Sequence, residues 1–262
     1  MTPPSLPNAA VEAASDGVVA GGLAVEGLAV EALAVRRGGA EVLRGVALRV
    51  PRGAVHGLVG RNGAGKTTLL DALFGFAPAH AGSVTLDGRP LRPADVGYLP
   101  ADTYAYPRIT GREYLAVYDA APGPRGAGAH AWARVLDLPL DQLVDTYSAG
   151  MRRKLALAGV LALRRPVLVL DEPQNALDVE SNALLAGVLR AYAADGAPGG
   201  AAVLVTSHVL EALAAACDRA HLLEDGRVAG GYAPGEFGAL AERLMTGALA
   251  RRAAEARALL RG

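Results

Sequence analysis

The sequence predicts an α/β domain. Three observations carry that expectation. Short apolar runs alternate with helical segments along most of the chain. One run leads into a glycine-rich loop, Gly60-Arg61-Asn62-Gly63-Ala64-Gly65-Lys66-Thr67, that opens directly onto a helix. A second run, Val167–Leu170, ends in Asp171-Glu172. Strands that alternate with helices favour a sheet with helices packed on it.

Residues 1–27 hold Pro, Ala and Gly with few charges. Leu23-Ala24-Val25-Glu26-Gly27 is echoed by Leu28-Ala29-Val30-Glu31-Ala32 and by Leu33-Ala34-Val35. This is low complexity without a solenoid period. The stretch reads as a disordered extension approaching a first strand, because apolar and polar residues alternate over Leu28–Arg36. Val42–Val50 and Ala54–Val59, either side of the turn Pro51–Gly53, are two more strands. Lys66–Phe76 reads as a helix, and Val84–Leu86 and Val96–Leu99 as short strands. Thr110–Asp119 is helical, with Thr110 as cap and Glu113 at capping-box spacing.

Ala121–Gly128 is a Pro/Gly-rich loop, and Trp132–Leu138 and Leu140–Thr146 read as short helices. Ser148 caps an apolar helix running to Leu163. Val167–Leu170 has the uninterrupted apolar pattern of a strand buried on both faces. Asp178 caps a helix to about Ala194, Ala201–Thr206 is another buried strand, and Val209–Ala216 is helical. Asp225-Gly226, between His221–Glu224 and Arg227–Ala229, marks a hairpin. Phe237–Leu260, rich in Ala, Arg and Leu, reads as helix.

The 262 residues suit one large domain or a domain with appendages. Lys+Arg and Asp+Glu both number 26, so the basic footprint of a nucleic-acid binder is missing. Cys217 is the only cysteine. No intrachain disulfide can form, and its alanine-rich setting suits a small buried hydrophobe. No apolar run approaches the roughly 18 residues a membrane-spanning helix requires. The N-terminus lacks the basic-then-apolar order of a signal peptide.

Chemistry is concentrated in two places. Gly60–Thr67 fits G-x-x-x-x-G-K-[S/T]. Small residues let backbone N–H groups turn inward around phosphate oxygens, and the following helix directs its positive end at the anion. Lys66 can reach the outer phosphates and Thr67 can ligate Mg²⁺. Gly60, Arg61, Asn62, Gly63, Ala64, Gly65, Lys66, Thr67 and Thr68 are therefore candidate nucleotide contacts. Functional groups of parallel sheets gather at strand carboxyl ends. Asp171 is placed there to hold Mg²⁺, directly or through water, and Glu172 to polarise an attacking water.

Between and after these elements stand Tyr147-Ser148-Ala149-Gly150-Met151-Arg152-Arg153-Lys154, Asn175-Ala176-Leu177-Asp178 and Thr206-Ser207-His208. In order and spacing the set resembles the ABC ATPase cassettes of membrane transporters, from about Leu28 to Ala229. The first stretch is similar to that family's signature, the second to its D-loop and the third to its switch histidine. The resemblance implies a P-loop NTPase fold with a mixed sheet core, an N-terminal antiparallel β subdomain and a small helical subdomain at about 102–163. It implies a cassette over 28–235 and a helical tail over 236–262. It also implies ATP and Mg²⁺ as ligands, and a second cassette closing head-to-tail around two ATP molecules. Ser148 and the Gly150 amide would then face the other subunit's γ-phosphate, with Asp178 in the D-loop. His208 would contact the γ-phosphate and position the attacking water. An integral membrane permease would dock on 102–146, where Tyr104, Tyr106 and Tyr114 lie. The cassette would sit at the inner face of the cell membrane. Tyr98–Leu115 is closer in style to exporters than to importers.

The chain departs from the family pattern at two points. Arg37 stands where an adenine-stacking aromatic is usual; it either stacks by its guanidinium plane or belongs to a solvated basic turn. Ala101 follows Tyr98-Leu99-Pro100 where a metal-contacting glutamine is common, with Asp102 next to it as a partial substitute. The signature is altered too, at Ala149 and Met151. His56, His80, His130 and His221 receive no role. A soluble ABC ATPase with a regulatory or ribosome-associated role is the alternative; the neutral charge and single cassette argue against it.

Overall fold

The structure, a computed structural model, describes residues 26–103, 106–123 and 128–246. The expected extension up to residue 25, Tyr104 and the tail beyond 246 lie outside the described residues. Two sheets organise the rest. Strands β1 (Gly27–Arg37), β2 (Ala40–Pro51), β4 (Ala81–Leu86) and β5 (Arg89–Pro90) form an antiparallel sheet in the order β2-β1-β4-β5. The inward residues of β1 are Leu28, Val30, Leu33 and Val35. The step of three from Val30 to Leu33 breaks simple alternation, and the strand absorbs it in a bulge at Ala32, whose φ is 47°. Gly82 permits that bulge, since a Cβ there would lie 2.4 Å from the Ala32 carbonyl oxygen.

The second sheet has the order β10-β9-β3-β8-β7-β6. Strands β3 (Val55–Val59), β6 (Val96–Leu99), β7 (Val167–Leu170), β8 (Ala202–Thr206) and β9 (Arg219–Glu224) run parallel. β10 (Arg227–Tyr232) closes the edge antiparallel to β9. Asp225 and Gly226 turn between them with φ of 47° and 76°, the left-handed pair that two-residue hairpins favour. Leu168, Leu170, Val203 and Val205 pack into the helical side of the core. Val167, Val169, Ala202 and Leu204 pack against the antiparallel sheet and the first helix. Both faces are covered, which explains runs that are apolar throughout.

Helix α1 (Lys66–Phe74) stops two residues earlier than its pattern suggests. Gly75 takes φ 94°, and the Gly75 and Phe76 amides bond back to the Ala72 and Asp71 carbonyls, a left-handed glycine stop. Helices α2 (Gly111–Asp119), α3 (Ala129–Val135) and α4 (Ala149–Ala162) pack together. The Thr110–Glu113 capping box forms reciprocally. A Cβ on Gly159 would meet the Tyr118 ring at 2.6 Å, so glycine lets α2 and α4 approach. α3 begins three residues before the expected Trp132, because the Asp119 carboxylate accepts the Ala129 N–H at 2.7 Å and caps it from α2. Most of Leu140–Thr146 is not helical, and only Val144–Thr146 makes a 3₁₀ turn. Its backbone is used elsewhere: Arg112 N–H bonds the Leu140 carbonyl, and Thr110 bridges Leu143. Helices α5 (Val179–Asp195) and α6 (Leu210–Ala216) cover the same side, and residues 237–246 are helical. Cys217 is buried at the end of α6, where burial pushes its thiol up to about 12.

Candidate functional site

Every candidate group at the centre of the molecule leaves the carboxyl end of a parallel strand. β3 runs into Gly60, β6 into Pro100-Ala101, β7 into Asp171-Glu172 and β8 into Ser207-His208. Pairing aligns Leu99 with Leu170 and Leu170 with Val205, so these exits share one edge of the sheet, the usual ligand position in open α/β sheets.

The glycine-rich loop has steric reasons for its composition. A Cβ on Gly60 would lie 2.4 Å from the Leu223 carbonyl oxygen, and one on Gly65 would lie 2.8 Å from Leu43. Gly63 and Gly65 also take φ of 80° and 106°, which glycine adopts at no cost. Gly65 is the N-cap of α1 and supplies no side chain to the first-turn amides. Those amides, with the helix dipole behind them, form an anion seat. Val42, Arg61, Asn62, Gly63, Gly65, Lys66, Thr67 and Thr68 line the concavity. Lys66 folds over it, its Nζ donating to the Gly60 carbonyl at 2.6 Å and the Arg61 carbonyl at 3.2 Å. Burial lowers the Lys66 pKa, and the charges of Glu172 and Asp171 oppose that shift. Thr68, also on the lining, is buried.

The acidic strand end is held by β8. Thr206 Oγ1 donates to Asp171 Oδ1 at 2.5 Å and accepts the Glu172 N–H at 2.9 Å. Glu172 sits at φ 51°, a left-handed backbone that costs about 1–3 kcal/mol for such a residue and turns the chain sharply at the strand end. Glu172 Oε2 accepts from His208 Nδ1 at 2.6 Å, from the His208 N–H at 3.4 Å and from Gln174 Nε2 at 3.1 Å. Gln174 Nε2 also donates to Ser207 Oγ. The Glu172 side chain is 15% exposed and that of His208 64%, so the carboxylate is sheltered while the imidazole meets solvent. Burial raises the Asp171 pKa, against the pull of Thr206, Lys66 and Arg153.

Ser148, Gly150 and Asp178 stand around a second surface. Ser148 is exposed and caps α4, its Oγ accepting the Met151 N–H at 3.1 Å. A Cβ on Gly150 would lie 2.6 Å from the Ala176 carbonyl oxygen, so the start of α4 lies against the loop that leads into α5. Asp178 caps α5 by accepting the Ser181 N–H at 2.7 Å, and the Ser181 side chain, with that amide, lowers its pKa. Val179 beside it is 88% exposed. Ser148 and Asp178 therefore bond to their own helices and Gly150 lies against the loop before α5, while the phosphate loop and Glu172 occupy the strand ends.

Arg37 bonds Asp71 on α1, one turn beyond Thr67, and its side chain is half exposed. Ala101 offers its carbonyl to Arg153, and Asp102 is exposed. Tyr106 is exposed, whereas Tyr114 is buried. Sequence reasoning gave no role to Thr206, Gln174 or Arg153, although all are buried at this site. Arg153 carried a readable signal: it shares the helical face of Leu157 and Val160, four and seven residues on.

The chain is similar to known proteins in sequence and in fold. A family profile described as "ABC transporter" matches residues 43–175. The Nod factor export ATP-binding protein I of Burkholderia lata is 36% identical over 204 residues, covering 73% of this chain and 66% of that protein. The chain thus spans just under two thirds of that relative's length. The hemin import ATP-binding protein HmuV of Streptomyces coelicolor is 38% identical over 221 residues, covering 77% of this chain and 76% of that protein. A solved structure titled "Structure of ATP binding subunit of ABC transporter" superposes with a TM-score of 0.70 at 26% identity, covering 79% of this chain and 89% of that one.

Proposed function

The chain belongs to the ABC transporter family, and from that premise we propose that it binds and hydrolyses ATP as the motor subunit of a transporter. The observation that carries this reading is the Glu172 carboxylate, sheltered beside Asp171 and bonded to His208 at 2.6 Å. Lys66 and the first-turn amides of α1 neutralise the phosphates of the substrate. Glu172 accepts a proton from the attacking water, and His208 holds that carboxylate oxygen in place while presenting its exposed ring to the terminal phosphate.

Mg²⁺ fits the donors present. Thr67 and Asp171 supply hydroxyl and carboxylate oxygens, which suit a hard cation. Among the described residues no group of three or more His, Cys, Asp or Glu could hold a metal alone; substrate phosphates and water would complete the shell of a bound Mg²⁺. The buried Asp171 binds its proton more tightly than usual, a shift that a neighbouring dication reverses. When bound, the ion neutralises phosphate charge.

The exposed Ser148 and Asp178, with Val179 at 88% exposure, support pairing with a second copy, each completing the other's site. No described helix is long and apolar enough to cross a membrane. Transport then depends on a membrane permease, with the cassette at the inner face of the membrane and its docking surface on 102–146. Export is the direction favoured by the Tyr98–Leu115 segment, while the relatives include one named for export and one named for import. Phosphate release by the purified chain, with and without a co-purified permease, tests the whole reading. Bound ATP with no Mg²⁺-dependent turnover in either case would overturn it. Uptake rather than release of cargo from cells would overturn the direction alone.

A further inference from the structure

Arg153 is the most buried cation at the site, 3% exposed, yet among the described residues its bonds all go to carbonyls and none to a carboxylate. Its Nη1 donates to the Pro100 carbonyl and, at 3.0 Å, to that of Ala101; its Nη2 donates to the Asp171 carbonyl. Its Nε has no partner among the described residues. A buried cation satisfied only by carbonyls is an expensive arrangement, and hydrophobic packing of α4 alone does not call for it. Burial lowers its pKa to about 10, while the charges of Asp171, Glu172 and Asp102 oppose the shift, so the group stays charged at neutral pH.

Three elements meet at this guanidinium. Pro100 and Ala101 are the exit of β6, Asp171 is the exit of β7, and Arg153 itself lies five residues into the helix that Ser148 caps. Along a helix that separation is only about 7.5 Å. Ala101 has a methyl side chain and cannot reach across the site, but its backbone is gripped. We infer that Arg153 is a positioning residue that makes the exposed Ser148 end of α4, the Pro100–Ala101 exit and the Asp171–Glu172 strand end shift as one body. Whatever seats at Ser148 then sets the placement of Glu172. This rests on the paired-cassette reading above. The planar fork of the guanidinium holds carbonyls from two strands at fixed angles, which a lysine ammonium cannot do.

The test uses the full chain and its Arg153→Lys and Arg153→Gln variants. Both should bind ATP within about threefold of the parent, and kcat should fall about 10²-fold with KM for ATP nearly unchanged, the mark of a lost alignment rather than lost binding. ATP-driven self-association, followed by sedimentation in a Glu172→Gln background, should weaken about tenfold when Arg153→Lys is added. Variants that melt lower yet turn over and associate like the parent would reduce Arg153 to a structural staple and overturn the inference. Failure of the Glu172→Gln chain itself to associate with ATP would instead remove the paired-cassette premise, with Arg153 untouched. If neither variant folds, hydrogen exchange of the Glu172→Gln chain decides. ATP should change protection of residues 100–103 and 148–154 in parallel, and a change in one segment without the other overturns the inference.

Discussion

Thr206 ties together the two acidic residues of the site. Its hydroxyl donates to Asp171 at 2.5 Å and accepts the Glu172 N–H at 2.9 Å. One oxygen at the end of β8 thereby fixes the carboxylate of one residue and the left-handed backbone of the next. Thr206→Val removes both bonds while preserving shape. It leaves the part-buried Glu172 N–H and an Asp171 carboxylate oxygen short of a partner, a loss of about 1–3 kcal/mol. Phosphate release should fall at least about tenfold, with Thr206→Ser retaining most of it. Equal rates for the valine and serine variants would contradict this role.

Glu172→Gln keeps the volume and the contact with His208 but cannot accept the proton. Turnover should drop by about 10²–10⁴, while ATP affinity, measured by equilibrium binding, stays near that of the parent. A variant that still hydrolyses at the parent rate places the base elsewhere.

Lys66→Ala removes the one ammonium folded over the phosphate loop. A hydrogen bond to a charged group contributes about 1.5–3 kcal/mol, so ATP should bind more than about tenfold less tightly. Because Nζ bonds loop carbonyls in the structure, the loop should also lose some protection from hydrogen exchange in the variant.

Gly150→Ala would drive a methyl group into the Ala176 carbonyl oxygen at 2.6 Å. Such overpacking costs about 1–3 kcal/mol and moves the start of α4 away from the loop into α5. A lower melting temperature and lost turnover are expected, with ATP binding by the single chain retained. Retained turnover would show that this contact is dispensable.

His56 on β3 and His221 on β9 are buried side by side, Nδ1 to Nε2, at 3.0 Å. Burial lowers both pKa values, and for His221 the neighbouring His56 adds to it. Above the unfolded value of 6.5 both states are neutral and the pair makes stability no more sensitive to pH. Below it the unfolded chain takes up protons that the folded chain refuses, so stability falls as pH drops from 6.5 towards 4. Urea midpoints at pH 7.5, 6.0 and 5.0 should decline in that order, and less steeply for a folded His221→Gln variant. An unchanged slope in that variant would assign the acid sensitivity to other groups.

Much of the architecture was legible because it is written in short-range pattern. Val167–Leu170 and Val96–Leu99 have the bounds expected from their apolar runs, and Ser148, Asp178 and Thr110 cap the helices they precede. Capping, glycine turns and apolar periodicity act over a few residues, so neighbours in the chain suffice to read them. The phosphate loop is of the same kind, since its glycines are required within a single turn. The short helix expected at Leu140–Thr146 failed because Thr110 and Arg112, some thirty residues earlier, take up the backbone of that segment.

The candidate site divides along the same line. Residue types in Gly60–Thr67 and Asp171-Glu172 already pointed to phosphate and hydrolytic chemistry, since each motif is a local run with its own strand or helix, while Thr206–His208 was read through its resemblance to a family motif. What those side chains bond to was decided only when the strands were laid side by side. Thr206 reaches Asp171 across 35 positions, His208 reaches Glu172 across 36, and Arg153 reaches Pro100 across 53. Such partners are chosen by the register of parallel strands and by burial, and no periodicity along the chain encodes them.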